Sequence, residues 1–79
     1  MRNIVYNLLQ KEVIPMNPHS QAIADLNKAG YTFKRHGANH DIYYNNTLGR
    51  LIPLKRHDFD ESDLRYIRQE IHRNYGERG

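Results

Sequence analysis

Residues 31–54 read YTFKRHGANHDIYYNNTLGRLIPL, and this stretch decides the fold. Tyr31-Thr32-Phe33-Lys34-Arg35 alternates in side-chain character and is rich in aromatic and β-branched residues, the pattern of a strand. His36-Gly37-Ala38-Asn39 is a tight connection, and His40 to Tyr44 reads as a second strand. Asn45-Asn46-Thr47-Leu48-Gly49 has the composition of a turn. Arg50-Leu51-Ile52-Pro53-Leu54 closes the stretch as a third strand. Pro53 cannot donate to a hydrogen-bond ladder, which suits an edge or a strand end. Connections this short join neighbouring strands antiparallel.

Helical signals flank the three strands. Asn17-Pro18 predicts an N-cap followed by proline at the first helical position, where no amide hydrogen is needed. Ala22, Ile23, Leu26 and Ala29 then mark one helix face, and Gly30 stands where a left-handed stop is wanted. Downstream, Asp58, Asp60, Glu61 and Asp63 crowd the start of a second helix, opposing its positive dipole end. Leu64, Ile67, Ile71 and Tyr75 recur at helical spacing as its core face. Further upstream, Ile4, Val5, Leu8 and Leu9 form a short helical stripe that Pro15 and Pro18 would end, leaving room for an extra N-terminal helix. The expected fold is α+β in the order α-β-β-β-α, a three-stranded antiparallel sheet with helices on one face. Its expected divisions are an N-terminal extension (residues 1–16), the folded domain (17–75) and a tail (76–79).

The chain has 79 residues, room for one small core and not two. It has no cysteine, which removes disulfides, thiolate metal sites and thiol nucleophiles. No apolar run approaches the ~18 residues of a membrane span, and no secretory leader is legible, so a cytoplasmic protein is expected. The net charge of +3 is unevenly spread. Residues 30–57 carry Lys34, Arg35, Arg50, Lys55 and Arg56 against Asp41 alone, net +4, whereas residues 58–79 are net −2. The basic third also holds Tyr31, Phe33, Tyr43, Tyr44 and three histidines. Cations interleaved with rings are suited to a phosphodiester backbone and unstacked bases.

The same stretch limits the chemistry. His36 and His40 straddle a glycine-containing turn with no third ligand at fixed spacing, so no metal site is expected. His40 and Asp41 are adjacent in a strand and face apart, so adjacency makes no dyad. Ser20 has no neighbouring base, and no glycine-rich phosphate loop exists, so nucleophilic and cofactor chemistry find no support. What remains is one histidine at a strand start with Lys34, Arg35, Lys55 and Arg56 nearby. That set suits cleavage of RNA without a metal. The 2′-hydroxyl is the nucleophile, an imidazole moves protons near neutral pH, and cations meet the charge on phosphorus. The alternatives are a non-catalytic RNA-binding module of the same fold, and an interaction domain whose basic face docks an acidic protein.

From Asn17 to Arg73 the chain resembles the HicA family, the small ribonuclease toxins of HicA–HicB toxin–antitoxin pairs. The similarity is carried by Leu26-Asn27-Lys28-Ala29-Gly30-Tyr31, by Phe33-Lys34-Arg35, and by Gly37-Ala38-Asn39-His40-Asp41-Ile42-Tyr43. Leu51-Ile52-Pro53-Leu54, then His57, then Leu64-Arg65-Tyr66-Ile67 continuing to Ile71 complete it. Where the family often has Gly-Ser before its catalytic histidine, this chain has Ala38-Asn39. The resemblance implies a double-stranded-RNA-binding-like fold and a type II toxin acting as a metal-independent endoribonuclease (mRNA interferase), with no cofactor. It places the catalytic histidine on His40. The partners implied are mRNA as substrate and a HicB-type antitoxin that covers the basic face. Lys34, Arg35, Lys55 and Arg56 are the expected RNA-binding residues.

Overall fold

A computed structural model describes residues 4–7, 12–15 and 17–76. Its elements are strands β1 (Ile4–Asn7) and β2 (Glu12–Pro15), helix α1 (Pro18–Lys28), strands β3 (Thr32–His36), β4 (His40–Asn45) and β5 (Arg50–Lys55), and helix α2 (Glu61–Gly76). From α1 onward this is the expected α-β-β-β-α order. The sheet runs β3-β4-β5 with both pairings antiparallel.

The N-terminal extension differs from expectation. Where it is described it is strand, not helix: β1 and β2 pair antiparallel, with Val5 opposite Ile14 and Ile4 opposite Pro15. β-branched Ile4, Val5, Val13 and Ile14 lose rotamer freedom in a helix and fit a pleated ladder. Leu8 and Leu9, half of the expected stripe, lie outside the described residues. At the other end α2 runs to Gly76, one residue into the expected tail, and 77–79 lie outside the described residues.

Capping explains where the helices start. The Asn17 side chain accepts the Ser20 amide at 2.8 Å, with Pro18 in the first turn. At α2, Asp60 Oδ1 accepts the Ser62 and Asp63 amides at 3.0 and 3.1 Å, while Asp63 Oδ2 accepts the Asp60 amide at 3.0 Å. This reciprocal arrangement satisfies helix-end amides that otherwise lack partners, and a cap of this kind is worth about 1 kcal/mol. Helix α1 stops at Gly30, whose φ of +96° is open to glycine and strained for other residues. A Cβ there would also lie 3.0 Å from Asn45 Nδ2.

The core forms where Ala22 and Leu26 of α1 meet Tyr43, Ile52 and Leu54 of the sheet and Leu64 and Ile67 of α2, closed at one end by Tyr31. Truncating any of the fully buried aliphatics, such as Leu26→Ala, would cost on the order of 2–5 kcal/mol. Two buried polar side chains stitch the layers together. Asn45 donates to the Ala29 carbonyl (3.0 Å) and accepts the Leu48 amide (2.9 Å), tying the end of α1 to the β4–β5 turn. Asn74 donates to the Tyr31 hydroxyl at 2.8 Å, fixing the last turn of α2. Tyr75, expected in the core face of that helix, is instead about half exposed. Its hydroxyl reaches the Ala29 carbonyl at 3.0 Å, so the helical stripe ends in a polar contact at the rim.

Candidate functional site

Strand register assigns each side chain of the central stretch to a face, because residues opposite one another share a side. Phe33 lies opposite Tyr43, His36 opposite Asp41, and Asp41 opposite Leu54, so these look toward the helix side. His40 lies opposite Lys55, Ile42 opposite Pro53 and Tyr44 opposite Leu51, so these look the other way. That second face is exposed at His40, Leu51 and Pro53.

A bulge decides where the cations go. The β3–β4 register slips between Phe33 and Arg35, leaving Lys34 as the extra residue. Arg35 then lies opposite Ile42, and the Lys34 ammonium sits 4.4 Å from the centre of the Tyr44 ring. Lys34 and Arg35 therefore share the face of His40. Strict alternation would have sent one of them to the opposite side. Of the expected RNA-binding residues, Lys34, Arg35 and Lys55 gather on the histidine's face, and Asp41, the single acidic residue of the sheet, is on the other.

Arg56 is used differently. Its guanidinium donates to the carbonyls of Gly37 (3.1 Å), Ala38 (2.7 Å) and His40 (3.4 Å) and to Asp41 Oδ1 (2.9 Å). Its amide donates to the Asn39 carbonyl at 3.3 Å. The planar fork thus gathers the β3–β4 connection, a task that a lysine's point charge would not reproduce. The same connection is closed by the Gly37 amide on the His40 carbonyl at 2.6 Å, and a Cβ on Gly37 would come within 2.9 Å of that oxygen. Arg56 and Gly37 fix the backbone from which His40 projects, with none of residues 37–40 in the left-handed region.

His40 borders a cleft of about 130 Å³ between the ends of β4 and β5 and helix α2. Pro53, Phe59 and Ile67 supply its apolar lining, and Lys55, Asp63 and Tyr66 join His40 as its polar lining. Lys55 Nζ is 3.3 Å from Asp63 Oδ2, so the cation facing the histidine across the ladder carries a counter-ion from the α2 cap. Tyr66 is about half exposed, although the neighbouring Ile67 is buried.

His36 stands in contrast. Its Nδ1 is 2.7 Å from Asp41 Oδ1, which also receives Arg56. Asp41's carboxyl is held below its ordinary range, first by the hydrogen bond from His36 and then by Arg56, against an opposing effect of burial. Burial pushes the Tyr43 phenol up, helped by the Asp41 charge, so it stays protonated at neutral pH and is no base. Register puts His36 and His40 on opposite faces. Among the described residues, no three His, Asp or Glu side chains come together in a way that could hold a metal. Nor is any described helix long and apolar enough to cross a membrane.

Besides the Lys34 bulge and the inward turn of Arg56, two features escaped sequence reasoning. The His36–Asp41 pair spans the turn and needs the register to be seen. Tyr66 sits one place before a buried position of α2, and helical periodicity reads it merely as a surface residue. No family model, curated protein or solved structure matches the chain.

Proposed function

We propose that the domain is an endoribonuclease that cleaves mRNA without a metal, with His40 as general acid/base. The observation that carries the reading is the placement of an exposed His40 over a cleft, with Lys55 opposite it and Lys34 and Arg35 on the same sheet face. In this mechanism the 2′-hydroxyl attacks the adjacent phosphorus. The P–O5′ bond breaks, leaving a 2′,3′-cyclic phosphate and a 5′-hydroxyl. His40 takes the 2′-hydroxyl proton or supplies one to the departing 5′-oxygen. Lys55 meets the charge that gathers on the phosphoryl oxygens, and Lys34 and Arg35 hold flanking phosphates. Arg56 acts at one remove, by fixing the His40 backbone.

The biological role that goes with this chemistry is that of a HicA-like toxin, which the order of motifs from Asn17 to Arg73 supports. Such a protein works in the cytoplasm, where mRNA is, and is held by a HicB-type antitoxin that covers the basic face. The test is cleavage of an end-labelled RNA by purified wild-type and His40→Ala protein, with and without chelator. Scission by the wild type in chelator, and its loss in His40→Ala, is expected. Equal scission by both proteins would sink the assignment. Salt-sensitive RNA binding without any scission would return the domain to a binding module.

A further inference from the structure

We infer that the cleft beside His40 seats one unpaired nucleotide of RNA, its base stacked on Tyr66 and its phosphate on Lys55, so that single strands and not duplexes are the substrate. This rests on the reading of the domain as acting on RNA, and adds the residue that selects the strand.

Five phenyl or phenol rings besides Tyr66 lie in or beside the basic stretch, and each is already occupied. Tyr31 is buried in the core. Phe59, which also lines the cleft, is partly buried against the core with its ring edge-on to His19 at 5.2 Å. Tyr44 has the Lys34 ammonium over its face at 4.4 Å. Phe33 packs against His36 and Tyr43, with ring centres 4.9 and 6.0 Å away, on the far side of the sheet. Tyr43 is buried in the core. Of these six, only Tyr66 both borders the cleft of His40 and keeps about half its surface in solvent. The core does not need it there, since Leu64 and Ile67 already fill the buried side of α2.

The lining sorts by chemistry in the way a nucleotide does. Pro53, Phe59 and Ile67 beside Tyr66 suit the faces of a base, while His40 and Lys55 suit the ribose hydroxyl and phosphate. The cleft is small, about 130 Å³. In a duplex the faces of each base are covered by its neighbours, so a tyrosine can stack only on a strand whose bases are free. Lys55 would leave Asp63 to meet the phosphate. Asp63 keeps its place when that happens, because its carboxylate still accepts the Asp60 amide.

The experiment is fluorescence anisotropy with the full chain and a short 2′-fluoro oligoribonucleotide, which lacks the attacking hydroxyl and stays intact. It is run single-stranded and annealed to its complement. Tyr66→Ala is expected to weaken single-strand binding roughly 5- to 100-fold, the range for loss of one aromatic stack. Tyr66→Leu, which keeps bulk and helix propensity, should lose as much, and Tyr66→Phe should stay within about twofold of wild type. The duplex should bind all four proteins alike. Single-strand binding unchanged in Tyr66→Ala and Tyr66→Leu overturns the inference and leaves His40 chemistry standing, as does an equal loss on the duplex. A wild-type protein that binds neither RNA overturns the RNA reading itself.

Discussion

Two histidines flank the same short turn and have opposite surroundings. His36 ends β3 with its imidazole on Asp41, and Asp41 is shared with Arg56. His40 begins β4 on the other face, beside a cleft, with its backbone held by Gly37 and Arg56. The nearest carboxylate in sequence, Asp41, serves the more distant histidine, because successive strand residues point apart while register brings residues five apart together. A histidine with a carboxylate partner is often read as the activated one. Here the partnered ring lies opposite the sheet cations and belongs to the scaffold, while the other is presented to them.

The sharpest way to break this contrast is to remove each ring in turn. Loss of a general acid/base costs typically 10²–10⁴ in rate, so His40→Ala should abolish measurable RNA cleavage while His36→Ala retains most of it. Matched single-turnover assays decide the matter, and the reverse order of effects would exchange the roles of the two histidines. Arg56→Ala comes next, because the guanidinium serves both sides of the turn. Losing hydrogen bonds of a charged group to the turn carbonyls and Asp41 should cost about 2 kcal/mol, a fall in Tm of roughly 10 °C for a domain of this size. Cleavage should fall with it, with single-strand affinity changed far less than rate. Arg56→Lys should recover little of either, since lysine lacks the fork. A variant that loses affinity in step with rate would make Arg56 a phosphate ligand, as its position next to Lys55 first suggests.

Much of the scaffold was legible in advance for physical reasons. Asn17, Pro18 and Gly30 act locally: a cap, a fixed φ and a left-handed stop are decided within a few residues. The three strands follow from the change of period after Gly30. The face of His40 was legible too, since alternation separates it from Asp41. The bulge at Lys34 was not, because an extra residue in a ladder shows only against its partner strand, and it is what puts Lys34 and Arg35 on one side. The inward turn of Arg56 was hidden for a related reason, since its acceptors lie 15 to 19 positions away and come close only once β4 and β5 pair. The N-terminal stripe misled because four residues, Ile4, Val5, Leu8 and Leu9, cannot separate a helix from the β-branched hairpin described at Ile4–Asn7 and Glu12–Pro15.

A smaller effect tests the cation on the histidine's side. Lys55 spends part of its charge on Asp63. Asp63→Asn keeps an oxygen for the Asp60 amide and removes the competing carboxylate, so RNA should bind a few-fold more tightly, most visibly at low salt. The gain should vanish in the Lys55→Met background. A gain that persists there would mean that Asp63 acts through the general field of the face and not through Lys55.

The smallest effect belongs to the histidine's other side and appears in acid. Asp41's carboxyl is held below its ordinary range by His36 and then Arg56, so the folded state favours its charged form more than the unfolded chain does. A group depressed in this way contributes stability that is complete above the unfolded carboxylate's pKa and fades as the pH falls through the lowered folded value. Wild type should therefore melt a few degrees above Asp41→Asn at neutral pH, and the gap should narrow only in strongly acidic buffer. His40→Ala should leave the shape of that curve unchanged, because His40 has no part in the pair. If the gap instead held constant to the lowest pH, Asp41 would be acting through shape and hydrogen bonding alone, and the charge link between His36 and Arg56 would carry none of the turn's stability.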